Sequence, residues 1–72
     1  DKEILKKLSE KFSLTPREAE VFGLLVNTED GLQTIADNMY ISRRTLERYV
    51  SAIYGKTGTK SRIGLVSLYN NI

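Results

Sequence analysis

The chain has 72 residues, 40% of them hydrophobic and 28% charged, with a net charge of +2, a composition that fits one small globular domain near the lower size limit for unaided folding. Cysteine and histidine are both absent, which excludes disulfide scaffolds, zinc sites built on Cys or His, thiol catalysis and Ser-His-Asp chemistry together. No apolar run is long enough to span a membrane and no secretory pattern opens the chain, and because position 1 is Asp rather than Met, a piece of a longer protein is expected.

Residues 1–12 set Ile4, Leu5, Leu8 and Phe12 at helical spacing among Lys2, Lys6, Lys7 and Lys11. This pattern predicts a leading amphipathic helix, either packed on the domain or part of a linker. The domain proper is expected over residues 13–72. Its first helix has a strong start: Thr15 offers a capping hydroxyl, Pro16 takes the first helical position, and Glu18 can reach back to complete a capping box. Ala19, Val21, Phe22, Leu25 and Val26 follow, and the helix should end near Asn27. Gly23 inside it is a weakness of roughly 1 kcal/mol relative to Ala.

Thr28-Glu29-Asp30-Gly31 reads as a turn. Leu32, Ile35, Ala36 and Met39 then form the stripe of a short helix, with Asp30 and Gln33 spaced to cap it. A break falls at Tyr40-Ile41, and Ser42 supplies a new N-cap. In the helix that follows, Leu46, Val50 and Ile53 line one face while Arg43, Arg44, Glu47, Arg48 and Ser51 line the other, and Gly55 is expected to stop it. After a loop from Lys56 to Lys60, Thr59 or Ser61 opens a last helix running through Asn70. Strand alternation and internal repeats are absent. The fold class expected is all-α: four helices plus the leading one.

Two short helices joined by about three residues, with small Ala36 at their crossing and Ile35, Met39, Ile41, Leu46 and Val50 to lock the angle, describe a helix-turn-helix. The charge distribution adds to this. Residues 1–41 hold five basic against eight acidic side chains, a balance of −3, whereas residues 42–62 hold six basic against Glu47 alone, a balance of +5. Such a concentration suits a polyanion, although an ordinary solvated face can carry the same charge. Arg44, Glu47, Arg48 and Ser51 present groups that can pair with base edges in a major groove. Gly55-Lys56-Thr57 is not a nucleotide-binding loop, because the glycine required five residues earlier is Val50. The carboxylates fall mostly on polar helical faces, so neither catalysis, a cofactor nor a metal site is expected.

Leu14-Thr15-Pro16-Arg17-Glu18-Ala19-Glu20-Val21-Phe22 resembles the opening of the LuxR-type (GerE-like) helix-turn-helix domain. Ile35-Ala36 followed by Ile41-Ser42-Arg43-Arg44-Thr45-Leu46 resembles the signature of that family across the turn, and Ile53 to Arg62 is similar to its segment joining the third and fourth helices. The resemblance covers residues 14 to about 70. It implies a four-helix output domain of a bacterial transcription regulator that binds double-stranded DNA as a homodimer, governed by a sensor or receiver domain elsewhere in the protein. Contact with RNA polymerase and a cytoplasmic location, free or at the inner end of a membrane-anchored regulator, follow from the same likeness. The sequence departs from the family at the turn around Glu29-Asp30-Gly31, one residue longer than usual. It departs again at Glu47 where a basic residue is common, at Tyr49 where His is common, and at Gly64 where an acid is typical.

Roles follow by position. Arg44, Glu47, Arg48 and Ser51 are the expected base-facing residues. Arg48 leads because the bidentate arginine–guanine contact is the commonest specific readout, while Glu47 can accept from a cytosine amino group. Ser42, Arg43, Thr45, Tyr49, Lys56, Lys60 and Arg62 are expected at phosphates, with capping a competing role for Ser42 and Thr45 and a core edge for Tyr49. The last helix is apolar on two sides. The family's dimer contact is on this helix, so Leu65, Leu68 and Tyr69 are assigned to self-association, unless the leading helix covers them. Two other readings compete: a promoter-reading domain like that of a sigma factor, and a protein-interaction module that has lost DNA binding.

Overall fold

A computed structural model describes residues 2–71. It contains five helices, α1 (Lys2–Phe12), α2 (Pro16–Asn27), α3 (Leu32–Asn38), α4 (Arg43–Thr57) and α5 (Arg62–Asn70), and no strand among the described residues. The core is drawn from every helix: Leu8 from α1, Val21, Phe22 and Leu25 from α2, Ile35 and Ala36 from α3, Leu46, Val50 and Ile53 from α4, and Leu65 from α5. Each such side chain removed from water contributes about 1.5–3 kcal/mol before the entropy of ordering is counted.

α2 begins as its sequence dictates. The Thr15 hydroxyl accepts from the Glu18 N–H at 3.2 Å, and the Glu18 carboxylate accepts from the Thr15 N–H at 2.9 Å, so the capping box is complete. Gly23 is more than a weak point. A Cβ there would lie 3.1 Å from Leu5 Cδ1, so a larger residue would need that leucine to shift by a few tenths of an ångström. With Leu8 fully buried, α1 is packed on the domain.

Three helices end on a residue in the left-handed conformation, and only one of these is glycine. α4 runs past Gly55 and stops at Gly58, φ 73°, whose N–H reaches the Tyr54 carbonyl. The expected stop was wrong because Gly55 is accommodated inside the helix, whereas Gly58 adopts the positive φ without steric cost. α1 ends at Ser13, φ 56°, with the Leu14 N–H on the Ser9 carbonyl at 2.9 Å. α3 ends at Tyr40, φ 57°. There the Ile41 N–H donates to the Ala36 carbonyl and the Tyr40 N–H to the Asp37 carbonyl, both at 3.1 Å. That pair of bonds is a Schellman motif, and it forms the turn of the helix-turn-helix. A non-glycine residue held left-handed costs about 1–2 kcal/mol.

α3 differs from expectation at its start. Gly31 occupies the N-cap with no side-chain bond, and Gln33 pairs with Asp37 at 2.9 Å instead of closing a box with Asp30. Ala36 is fully buried, which is what a close crossing of α3 and α4 requires. α4 starts as expected, with Ser42 Oγ accepting the Thr45 N–H at 3.0 Å. Ser61, not Thr59, caps α5 by accepting from the Gly64 N–H at 3.0 Å.

Candidate nucleic-acid interface

The site is built on α4. Leu46, Val50 and Ile53 are buried against α2 and α3, which fixes the rotation of the helix about its axis. The opposite side is thereby set outward. Arg44, Glu47, Arg48 and Ser51 are all exposed, and their i, i+3, i+4, i+7 spacing places them along one stripe. The 15 residues of α4 make a rod about 22 Å long and about 10–12 Å across, dimensions that a major groove about 12 Å wide can receive.

Arg44 and Arg48 carry no ion pair or hydrogen bond among the described residues. Arg43 pairs with Glu47 one turn on, at 3.3 Å, with both side chains about half exposed. A pair so solvated is worth a fraction of a kcal/mol and leaves both groups available to a ligand. Lys60 is also exposed. Ser42 is occupied by its capping bond and also donates to the Thr45 hydroxyl at 3.0 Å. Thr45 is half-buried, and Tyr49 is half-buried against the core.

Two of the residues expected at phosphates are engaged by partners within the domain. Lys56 Nζ donates to Glu18 Oε1 at 2.6 Å and to the Ser13 carbonyl at 3.1 Å. It joins the end of α4 to both sides of the α1–α2 turn. The Lys56 hydrogen bond, helped by the Thr15 N–H and opposed by burial, holds the Glu18 carboxyl below its ordinary value of 4.5.

Arg62 is a second internal clamp. Its Nε donates to the Leu25 carbonyl at 2.8 Å, Nη2 to the Thr28 carbonyl at 2.7 Å, and Nη1 to the Asp30 carbonyl. The carbonyls that close a helix lack intrahelical donors and carry its negative pole, so a guanidinium is well suited to them. This clamp orders the long turn between α2 and α3. With both cations committed, the basic side chains of residues 42–62 left without a partner inside the domain's other elements are Arg43, Arg44, Arg48 and Lys60.

The assignment on α5 also needs correction. Leu65 is fully buried and belongs to the core, so it offers no surface to a second copy. Leu68 and Tyr69 are half-buried beside it, the Tyr69 ring tilted against Phe22 with centroids 6.4 Å apart. The apolar side chain that α5 does expose is Ile63, at 82%, with Val66 half-buried one turn on. The signal was present in the sequence: Leu65, Leu68 and Tyr69 make the three-member i, i+3, i+4 stripe, the usual mark of a core face.

A small all-helical bundle that presents an arginine-bearing helix across a tight turn from a shorter one is a DNA-binding domain of the helix-turn-helix class. Residues 12–69 match the family described as GerE, bacterial regulatory proteins of the luxR family. The chain belongs to that family, whose members are DNA-binding regulators rather than enzymes. It is similar to two proteins each described as "Probable transcriptional regulator ycf29". It is 41% identical to that of Cyanophora paradoxa, over 96% of this chain and 33% of the relative. It is 39% identical to that of Pyropia yezoensis, over 93% of this chain and 31% of the relative. The chain therefore spans about a third of the length of these curated relatives. No solved structure matches it. Among the described residues, no helix is long and apolar enough to cross a membrane.

Proposed function

We propose that the chain reads duplex DNA by laying α4 in the major groove, with Arg44, Glu47, Arg48 and Ser51 toward the base edges. Arg43 and Lys60 contact phosphates on either side, with Ser42, Thr45 and Tyr49 along the rim. The observation that carries this reading is that Arg44 and Arg48 are exposed and without a partner among the described residues, on a helix whose other side is locked into the core. Specificity arises from Arg48 on guanine and from Glu47, which repels phosphate but accepts from a cytosine amino group. Pairing of two copies along α5 is part of the same proposal, with Ile63 as the available apolar contact. Sensing of a signal and contact with RNA polymerase are assigned to the whole protein, of which this domain is the output, acting in the cytoplasm.

Selection of bound duplexes from a random pool tests the reading. A recurrent motif is expected, with a two-fold symmetric arrangement if two copies bind together. The logarithm of affinity should fall linearly with that of salt, by about 0.9 per phosphate contacted. A module that binds only proteins would enrich no duplex even at low salt. Arg48→Ala should weaken binding to the selected site by roughly ten- to a hundredfold, corresponding to about 1–3 kcal/mol for a bidentate base contact, and binding to random duplex much less. Equal losses on both would remove Arg48 from the base-reading set.

A further inference from the structure

Of the three residues that close helices in the left-handed conformation, two are accounted for inside the domain. Gly58 has no side chain to strain, and the Ser13 carbonyl is an acceptor for Lys56. Tyr40 is different. Its backbone has φ 57° at the position of a Schellman motif where glycine is usual. Its side chain is 95% exposed and makes no hydrogen bond or ring contact among the described residues. The fold thus tolerates an unfavourable residue at this position and makes no use of its ring, a combination that points to a contact outside the chain.

The surroundings indicate what that contact is. Tyr40 lies two residues before Ser42, the N-cap of α4, and is followed by exposed Arg43 and Arg44. Asp37 lies on the α3 side and Glu47 pairs with Arg43, but Arg44 is left exposed at the start of α4, and a surface so charged suits a polyanion better than an apolar protein pocket. When a recognition helix sits in a groove with its N-terminal residues at the bases, the segment leading into it passes over the sugar-phosphate backbone. A phenol is suited to that place, because its hydroxyl donates to a phosphate oxygen and its rigid ring loses little freedom on docking.

We propose that Tyr40 is a DNA-contacting residue, its ring lying against the backbone beside the entry of α4 and its hydroxyl donating to a phosphate. This rests on the duplex-binding reading above and assigns that interface one more residue. The test compares Tyr40→Phe, which keeps the ring and loses the hydroxyl, with Tyr40→Gly, which removes the ring and relieves the backbone. Affinity is measured for the selected duplex and for a random duplex at one salt concentration, with thermal melting alongside. Both variants should melt no lower than the parent. Both should bind both duplexes roughly three- to tenfold more weakly, the range for one net hydrogen bond, since a phosphate contact carries no sequence information. The salt dependence should stay as in the parent, because no charge has been removed.

Unchanged affinity in Tyr40→Gly would overturn the proposal and leave a protein partner as the occupant of the ring. A loss confined to the selected duplex would overturn it in favour of base reading. If the parent chain itself binds no duplex, the functional reading falls and this proposal with it. If the parent binds and Tyr40→Gly binds equally well, only the role of Tyr40 falls.

Discussion

Leu65→Glu is expected to unfold the domain rather than to separate two folded copies. Leu65 is completely buried, and truncating such a leucine costs about 2–5 kcal/mol through lost transfer energy and the cavity left behind. A carboxylate in its place must also be buried or forced neutral, at several kcal/mol more. Domains of this size hold about 5–10 kcal/mol in total, so the sum exceeds what is available. Circular dichroism should show the helical signal lost at 25 °C. A folded, monomeric product would mean that Leu65 faces outward after all. Ile63→Glu is the matched control: at 82% exposure it should change stability by about 0.5 kcal/mol or less, and if copies pair along this edge it should shift the sedimentation coefficient toward the monomer.

That contrast shows where sequence reasoning succeeded and where it stopped. Local signals were legible because their partners lie within one helical turn. Thr15, Pro16 and Glu18 announce the start of α2, and Ser42 announces that of α4. The division of α4 into Leu46, Val50 and Ile53 against Arg44, Glu47, Arg48 and Ser51 follows from the 3.6-residue period alone. Cations were another matter. Lys56 and Arg62 look from the sequence like Arg44 and Arg48, yet their partners lie far along the chain, at Glu18 and at the carbonyls of Leu25, Thr28 and Asp30. No periodicity reports such a pairing. The contact of Gly23 with Leu5 is equally invisible to periodicity, since it joins two helices.

The two internal clamps also bear on how the interface is held. α4 takes its rotation from its buried face, but its C-terminal end is tied by Lys56 to the α1–α2 turn. The turn leading into α3 is tied by Arg62 to the start of α5. Both halves of the helix-turn-helix are thus anchored to the scaffold at ends remote from the connecting turn. Two basic residues thereby hold the scaffold that sets where Arg44 and Arg48 point. Preorganisation of that kind lowers the ordering cost on binding.

Lys56→Met should therefore destabilise the fold by about 2 kcal/mol, within the range for losing a hydrogen bond to a charged group, because the pair is only partly withdrawn from water. The two partners are not equivalent: the Glu18 side chain is 9% exposed and that of Lys56 is 35%. Removing the lysine leaves a mostly covered carboxylate with the Thr15 N–H as its remaining partner, whereas Glu18→Gln leaves an ammonium that can turn outward and keeps an oxygen for the Thr15 N–H. Glu18→Gln should accordingly cost less, about 1 kcal/mol, and the double variant less than the two losses added together. Proton linkage gives an independent check. The folded-state pKa of Glu18 lies below its ordinary value of 4.5, so its contribution is fully present above that value and is lost as pH falls through the lowered one. With Lys56 gone the largest cause of the depression is gone, burial is opposed only by the Thr15 bonds, and the acid loss of stability should move to higher pH. Urea unfolding of the parent and the three variants between neutral pH and pH 3 measures both effects. Should Lys56→Met prove no more damaging than Glu18→Gln, with an unshifted acid limb, the lysine would be a surface cation free to meet a phosphate.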